Sequence, residues 1–259
     1  MQYAEDIARR AAISIDNARL YNDTQQALAL RDDFLSIASH ELKTPVTSIK
    51  AFLQAIERRM SNQENFDFQK NLQYMQLSVK QVDRLTAIIN DLLDINRINQ
   101  GRMEYHFKIL PIGPIVADVV ERMSVSFPTH QFNLKLQDLT TKVRIDEVRF
   151  EQVITNLITN GVKYSPASSI INIITHSDDE SLYIDIIDQG IGISPEDQKM
   201  IFERYYRTPN AISTRASGLG VGLFIAYELI KAHEGELIVQ SAIGKGSTFT
   251  IKLPRQGEA

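Results

Sequence analysis

The sequence of 259 residues contains no cysteine, which excludes disulfide bonds and thiolate metal sites and agrees with a cytoplasmic protein. It has no run of about 18 apolar residues, so no membrane span is predicted, and its N-terminus lacks the apolar core of a secretory signal. No Lys/Arg-rich block stands out, and the net charge of −4 argues against general binding of nucleic acid. The hydrophobic fraction of 43% and the charged fraction of 23% are ordinary for a soluble globular protein of one large or two modest domains.

Proline and glycine are absent from residues 2–33, which are rich in Ala, Arg, Gln, Asp and Leu, so one long helix is predicted there. A heptad-like seam runs along it, and its small and polar members favour only a weak dimer contact or packing on a missing segment. The seam consists of Ala4, Ile7, Ala11, Ser14, Ala18, Tyr21, Gln25 and Leu28. We expect residues 1–33 to form a signalling coiled-coil helix.

A second apolar stripe predicts that this helix continues to about Met60 with His40 on its outer side. The stripe consists of Leu35, Ala38, Leu42, Pro45, Ile49, Phe52 and Ile56. His40 lies opposite the stripe at roughly 100° per residue, and Thr44 follows one turn later on the same face. Pro45 cannot donate to the carbonyl of Glu41, which predicts a kink beside an exposed histidine. Most such histidines are solvated surface residues, so His40 alone does not establish a site.

The sequence FLSIASHELKTP resembles the phosphoacceptor box of sensor histidine kinases, because its His, Glu, Thr and Pro fall at the family's spacing. The resemblance implies that His40 accepts a phosphoryl group and that Thr44 positions the water that dephosphorylates a partner response regulator. We expect Glu41 to accept a hydrogen bond from one ring nitrogen of His40 and so activate the other. Upstream, ARRAAISIDNARLYNDTQQAL resembles the last helix of a GAF sensor domain, which implies a fragment of a longer protein in which Met1 need not be the natural start.

A second long helix is predicted from about Phe66 to Ile98, after the polar turn SNQENFD. One of its faces is apolar at Leu72, Met75, Val79, Val82, Ile89 and Leu93, widened by Leu85, Ile88, Leu92 and Ile95. A lone hairpin cannot hide stripes this wide from water, so two hairpins are expected to dimerise as a four-helix bundle. Asn99-Gln100-Gly101 ends the helix and is the predicted domain boundary.

From Met103 onward, strands and helices alternate. Strands are predicted near 104–109, 132–136, 142–145, 170–176, 181–187, 236–241 and 247–253, and helices near 112–126, 147–163, 195–204 and 220–233. With the last strands in a hairpin across Gly244-Lys245-Gly246, this order predicts a helix layer on one face of a mixed sheet.

The predicted helix 147–163 places Asn156, Asn160 and Lys163 on one face. Amides buried beside a lysine are costly unless they bind a ligand. Asparagine oxygens suit Mg²⁺ and a lysine suits phosphate. An asparagine pair that only caps a neighbouring loop is the alternative.

Asp188 ends the predicted strand 181–187 and is followed by Gly190 and Gly192. A carboxylate there can accept a hydrogen bond from an adenine amino group, while the glycines let the base approach the backbone. Ordinary turn chemistry also explains two glycines after a strand.

The segment TPNAISTRASGLGVGL has few large apolar side chains and is predicted to be a mobile lid. Its Gly218, Gly220 and Gly222 lead into a helix whose first N–H groups are free to meet phosphate. No Gly-Lys-Ser/Thr follows, which excludes a Walker loop. Just upstream, Phe202 can anchor a loop and Arg207 can reach phosphate.

Together these segments resemble the catalytic domain of histidine kinases, a Bergerat-type ATPase fold. The resemblance implies ATP and Mg²⁺ as cofactors. It assigns Asn160 to Mg²⁺, Asn156 and Lys163 to the phosphates, Tyr164 to the adenine face, Asp188 with Gly190 and Gly192 to the adenine amino group, and Tyr206, Arg207, Gly218, Gly220 and Gly222 to the phosphate tail. Gly161, Val221 and Glu234 depart from the family pattern, in which Ala, Leu and a glycine of HGG are expected.

The expected fold class is therefore multidomain α and α+β: a helical hairpin forming a dimeric four-helix bundle, followed by an α/β sandwich ATP-binding domain. The predicted dimerisation and histidine phosphotransfer domain spans 34–99, and the catalytic domain spans 102–256. The implied partners are a second copy of the chain and a response regulator, whose receiver domain is not visible in this sequence. Two alternatives stay open: an ATPase related to gyrase or the heat-shock chaperones, and a non-catalytic dimeric signalling module.

Overall fold

A computed structural model provides the structure, which describes residues 2–61, 67–137, 140–210 and 219–255. Gly218 and most of the predicted lid lie outside these ranges, as does most of the turn between the first two helices. The chain consists of two compact units, Met1–Leu85 and Thr86–Ala259. None of the described helices is long and apolar enough to cross a membrane.

Two long helices begin the chain, as predicted. Helix α1 spans Gln2–Ser61 and continues through Pro45, and α2 spans Phe68–Asn99. In the first unit the buried α1 residues include Phe34, Ala38, Glu41 and Pro45. Leu35 was predicted to lie on the core-facing stripe, but it is 53% exposed.

Helix α2 ends where the sequence predicts. Gly101 has a φ of 62°, and the N–H of Arg102 donates to the carbonyl of Arg97 at 2.9 Å, which closes the last turn. The compact units, however, divide at Leu85 and Thr86. The last turns of α2 therefore belong with the following unit, and the division at 99–101 remains a prediction.

The second unit is an α/β assembly whose helices pack on one mixed sheet. Its elements are β1 (Lys108–Pro111), α3 (Ile112–Ser126), β2 (Gln131–Leu136), β3 (Lys142–Ile145), α4 (Glu147–Tyr164), β4 (Ile170–Ser177), β5 (Ser181–Ile187), α5 (Pro195–Gln198), α6 (Gly222–Ala232), β6 (Glu236–Ser241) and β7 (Ser247–Pro254). The main sheet has the order β2-β4-β5-β7-β6, with β1 and β3 as a separate pair. Strands β2 and β4 are parallel, and the other neighbours in the main sheet are antiparallel. The predicted mixed sheet is confirmed.

Three predicted elements were wrong at their ends. The helix expected over 195–204 stops at Gln198, because the chain then turns and Tyr205 adopts a φ of 67°. Gly220 has a φ of 70°, which is incompatible with a helix start there, so α6 begins at Gly222. The first strand begins at Lys108, because the N–H of His106 donates to the Asp146 carboxylate at 2.7 Å and not to a neighbouring strand.

His233 fixes the end of α6 to the start of α4. Its side chain is 2% exposed, its Nε2 accepts from the N–H of Asp146 at 3.0 Å, and its Nδ1 lies 2.6 Å from the carbonyl of Leu229. This pairing requires a neutral ring protonated on Nδ1. Burial lowers the pKa of His233 below its usual value. Next to it, Glu234 has a φ of 60°, so this departure from glycine places an acidic residue in the left-handed region.

Candidate functional site

His40 is exposed on α1, as the sequence predicts. The hydroxyl of Thr44 donates to the backbone carbonyl of His40 at 2.9 Å, a bond within the helix that does not involve the imidazole. Thr44 itself is also exposed, one turn further along. The predicted pair therefore lies on one accessible helix face.

Glu41 does not contact His40 as expected. Its side chain is buried, and its Oε2 accepts from Nη2 of Arg84 on α2 at 2.8 Å. Among the described contacts, none joins Glu41 to the His40 ring. The expectation that Glu41 orients His40 is therefore not met in this conformation, because the carboxylate is paired with Arg84.

In the second unit, the predicted nucleotide residues meet around one cavity of about 260 Å³. The sequence-predicted residues that line it are Asn156, Asn160, Lys163, Tyr164, Asp188, Gly192, Tyr206, Arg207, Gly220 and Gly222. They come from α4, from the end of β5, from the turns after α5 and from the start of α6. Residues far apart in sequence thus converge on one space that a ligand can enter.

Helix α4 supplies one wall of the cavity. Its buried side carries Val153, Leu157 and Ile158, which are fully buried, and this packing turns the amide face toward the cavity. Nδ2 of Asn156 donates to the carbonyl of Gly222 at 3.3 Å. The amide oxygen of Asn156 is thereby oriented away from that bond. The alternative in which the asparagines only cap a loop accounts for this one contact but not for their position on a cavity.

Lys163 and Tyr164 end the same helix. The ammonium nitrogen of Lys163 lies 4.8 Å from the centre of the Tyr164 ring, within the range of a cation–π contact. Both side chains are partly exposed and line the cavity. A positive charge and an aromatic face are therefore presented together.

Asp188 is held by the backbone on both sides. Its Oδ1 accepts from the N–H of Gly190 at 2.7 Å and from the N–H of Ser247 at 3.1 Å. Both bonds use Oδ1, and among the described residues no protein hydrogen bond to Oδ2 is formed. Burial raises the pKa of Asp188, although the two backbone donors act in the opposite direction. The second oxygen is thus available to a ligand that brings its own donor.

The two glycines after Asp188 differ in their position relative to the cavity. A Cβ on Gly190 would lie 2.8 Å from Oδ1 of Asp188 and 2.9 Å from the carbonyl of Tyr164. Gly190 supplies a hydrogen bond to Asp188 but does not line the cavity, so its predicted direct contact with the base is not supported. Gly192 does line the cavity, and a Cβ there would lie 2.0 Å from the carbonyl of Ala242.

Tyr206 and Arg207 approach the start of α6. The Tyr206 hydroxyl donates to Oδ1 of Asp197 at 2.6 Å, and this bond raises the pKa of Tyr206 to about 12. A Cβ on Gly220 would lie 2.8 Å from Cγ of Arg207. Only a glycine therefore lets these two parts of the cavity wall approach so closely.

Sequence reasoning missed several lining residues. They are Asp91, Thr159, Ile191, Ile193, Ile201, Thr208, Leu219, Val221, Leu223, Ser247 and Phe249. Thr159 shares the helix face of Asn156 and could have been found from its spacing. Ser247 directly follows the glycine hairpin and faces Asp188 through its N–H. No sequence signal points to Asp91, which lies on α2.

The fold and the site together define a class: a helical phosphoacceptor segment joined to an ATPase-type α/β domain. Two family models match the chain. Residues 30–101 match the His Kinase A (phospho-acceptor) domain, and residues 145–257 match the family described as histidine kinase-, DNA gyrase B-, and HSP90-like ATPase.

Curated relatives agree. The chain is 31% identical to the sensor histidine kinase WalK of Bacillus subtilis over 231 residues, which cover 88% of this chain and 37% of that protein. It is 31% identical over 245 residues to the autoinducer 2 sensor kinase/phosphatase LuxQ of Vibrio vulnificus, with 90% of this chain and 27% of that protein covered. The chain thus spans about a third of the length of these relatives.

Among solved structures, the histidine kinase AdeS of Acinetobacter baumannii shares the fold, with a TM-score of 0.61 and 24% identity over 84% of this chain and 98% of that one. The chain therefore contains the phospho-acceptor and ATPase domains of histidine kinases, and it is similar to sensor histidine kinases over most of its length. The resemblance of residues before Phe34 to the end of a GAF domain remains a prediction.

Proposed function

We propose that the chain uses ATP to phosphorylate His40 and then passes the phosphoryl group to an aspartate of a response regulator. The observation that carries this proposal is the cavity in which the predicted nucleotide residues meet, on a chain that also presents an exposed histidine in its phosphoacceptor domain. The ATPase family model supports ATP as the donor.

The chemistry of the cavity fits the parts of ATP. Oδ2 of Asp188 can accept from the adenine amino group, and the ring of Tyr164 can lie against the base. Lys163 and Arg207 can neutralise phosphate charge. Gly220 and the N-terminal turn of α6, which begins at Gly222, present backbone N–H groups to the phosphate tail. We propose that Gly218 also contacts the phosphates.

The amide oxygens on α4 fit Mg²⁺. The metal prefers oxygen ligands and keeps several waters, so one or two protein ligands beside phosphate oxygens are sufficient. Asn160 lines the cavity one turn from Asn156, whose amide nitrogen is already bonded to Gly222. We assign Asn160 as the metal ligand and Asn156 to the phosphates. Bound Mg²⁺ would neutralise charge on the transferring group.

His40 supplies the nucleophile. A neutral imidazole has one unprotonated nitrogen that can attack the γ-phosphate, and the exposed position of His40 lets a reactant held elsewhere reach it. Phosphoryl transfer requires mainly positioning and charge neutralisation from the protein. An outward-facing histidine with few local contacts suits that requirement.

We propose that the working form is a dimer. In the first unit, α1 exposes Val46, Leu53 and Met60, and α2 exposes Leu72, Met75, Val79 and Val82, with exposed fractions from 39% to 63%. Steps of three, four and seven residues place these side chains on one seam per helix. A second hairpin would bury both seams in a four-helix bundle.

Phosphatase activity toward the regulator is part of the proposal. The relative LuxQ is named as a kinase/phosphatase, and the exposed hydroxyl of Thr44 lies one turn from His40 on the same face. Because ATP is the proposed donor, we place the working chain in the cytoplasm.

Incubation of the full chain with γ-labelled ATP and Mg²⁺ tests the proposal. We expect protein-bound label that is acid-labile and alkali-stable, the behaviour of a phosphohistidine, and transfer of that label to a receiver domain. ATP turnover without protein-bound label would support the gyrase-like ATPase instead. Absence of both binding and turnover would support the non-catalytic module.

A further inference from the structure

One carboxylate in the nucleotide cavity does not come from the α/β elements. Asp91 lies on α2 and lines the cavity together with Asn156, Asn160 and Lys163. It is half-buried. A negative charge in a cavity built for phosphates opposes the expected ligand, so its presence calls for a physical role.

A partly buried polar network fixes this part of α2. Nη1 of Arg149 donates to both carboxylate oxygens of Asp94 at 3.2 Å, and Nε2 of Gln152 donates to Oδ2 of Asp94 at 2.8 Å. Nη1 of Arg149 also donates to Oε1 of Gln152 at 3.0 Å, which closes the network. We call Asp94, Arg149 and Gln152 the clamp. The clamp joins α2 to the first turns of α4, and Asp94 is 4% exposed.

The clamp lies next to Asp91. The two aspartates are three residues apart on α2, so they are neighbours on its surface, and Asn156 follows Gln152 by one turn of α4. In this structure the clamp is closed and Asp91 lines the cavity. Burial, with a smaller effect of Asp94, raises the pKa of Asp91 to about 6, so above pH 7 most of its carboxylates are still charged.

We propose that Asp91 makes the cavity discriminate against the γ-phosphate while the clamp is closed, so that clamp closure and binding of ATP oppose each other. The inference rests on the proposed ATP site. ATP carries one more negative charge than ADP at the phosphate end, and like charges in a partly buried site repel more strongly than in water. The clamped chain therefore favours ADP relative to ATP.

The coupling is reciprocal. If clamp closure lowers the affinity for a triphosphate, a bound triphosphate must open the clamp by the same factor. Opening frees the last turns of α2 from α4. The clamp thus distinguishes a triphosphate-bound state from a diphosphate-bound state of the chain.

Calorimetric titration of the full chain tests this proposal. All proteins carry His40→Gln so that no phosphorylation intervenes, and the ligands are AMPPNP and ADP, each with Mg²⁺ at pH 7.5. We expect Asp91→Asn to tighten AMPPNP binding about tenfold, a change of about 1.4 kcal/mol, and to change ADP binding by much less. Asp118→Asn, on the exposed side of α3 and away from the cavity, removes the same charge and is expected to change neither affinity.

Asp94→Asn tests the clamp itself. We expect it also to tighten AMPPNP binding, and Asp91→Asn to add little in that background, because Asp91 has then left the cavity. Asp91→Glu keeps the charge, so it should retain the original ratio of the AMPPNP and ADP affinities. The comparison of the two Asp91 variants therefore tests the inference even if Asp94→Asn is unstable.

The outcomes separate this inference from the proposed function. Equal effects of Asp91→Asn on both nucleotides, or no effect, overturn the inference while leaving the ATP site intact. Weaker AMPPNP binding also overturns it and would identify Asp91 as a metal ligand. If the His40→Gln chain binds neither nucleotide, the ATP site itself is wrong and the inference fails with it.

Discussion

Arg84 on α2 donates to the carboxylate of Glu41 on α1 at 2.8 Å. Glu41 directly follows the proposed phosphoacceptor, His40, in the sequence. The side chain of Glu41 is 12% exposed and that of Arg84 is 36% exposed, so the pair is partly shielded from solvent. Held in this position, the carboxylate forms no hydrogen bond with the ring of His40 among the described contacts. If Glu41 activates His40, it must first leave Arg84.

We therefore expect Arg84→Gln to increase the initial rate of His40 phosphorylation, by about threefold or more, because the fraction of Glu41 free to reach the imidazole rises. The same change should lower the melting temperature, since it leaves a largely buried carboxylate without its charged partner. Rates of acid-labile labelling and thermal unfolding measure the two effects.

Arg84→Lys is the matched control, because it retains the positive charge and should stay close to the original protein in both measurements. A slower rate in Arg84→Gln, with Glu41→Gln unchanged from the original chain, would show that Glu41 has only a structural role.

The helical pattern around these residues could be read from the sequence, but the partner of Glu41 could not. Spacing of three and four residues placed His40 outward, and the structure agrees. Glu41 and Arg84 lie on different helices, and their pairing depends on the register of the hairpin, which no periodicity within one helix specifies. Asp91 was missed for the same reason, since its role follows from the packing of α2 and not from its neighbours in sequence.

The proposed dimer seam predicts a change in mass. Val79 is 58% exposed, and a charge at this position would be buried between hairpins, so Val79→Lys should dissociate the dimer. Gln73→Lys, at an exposed polar position on the same helix but away from the seam, should leave it intact. Light scattering after size-exclusion chromatography measures both. A monomeric original chain, or an unaffected Val79→Lys dimer, would contradict the bundle.

Asp188 is expected to determine which nucleotide base the cavity prefers. In Asp188→Asn the side-chain oxygen can still accept from Gly190 and Ser247, but the amide nitrogen replaces the acceptor that faces the ligand. We expect ATP affinity to fall by roughly 10- to 100-fold, as for loss of a hydrogen bond to a charged group, with a shift in preference toward a 6-oxo purine such as GTP.

Folding should survive that substitution. Burial raises the pKa of Asp188, which means that the ionised carboxylate is disfavoured in the folded chain, so the neutral amide should melt at the same or a higher temperature. Equal ATP affinity in Asp188→Asn, measured by calorimetry, would remove Asp188 from the base site.

His233 predicts a pH dependence of stability. Its pKa is lowered from 6.5 by burial, so the unfolded chain binds the proton more readily. The stability due to the neutral ring is complete above pH 6.5 and is lost as the pH falls below that value, by up to about 1.4 kcal/mol per pH unit. Thermal unfolding between pH 7.5 and 5.5 should show this slope, and His233→Gln should reduce it.

His176→Gln is the control for that series, because the side chain of His176 is 42% exposed and its removal should leave the slope in place. An identical slope in the His233 and His176 variants would show that other groups cause the pH dependence.

The sheet and the helices of the second unit were predictable to within a few residues. The apolar residues that recur with strand or helix spacing there are the ones that the fold buries. The ends that were wrong depend on single contacts. Phe202 stacks on Tyr227 with ring centres 5.3 Å apart, in the turns that replace the longer helix expected there. The position of Gly190 behind Asp188 likewise depends on tertiary packing against Tyr164.

Phosphorus NMR of the full chain after incubation with ATP and Mg²⁺ tests the central claim most directly, because a phosphoramidate nitrogen–phosphorus bond has its own resonance. We predict that signal in the original chain and in His176→Gln, and its loss in His40→Gln. A phosphoramidate signal of the same intensity in His40→Gln, or a phosphate ester in its place, would contradict the assignment of His40 as the phosphoacceptor.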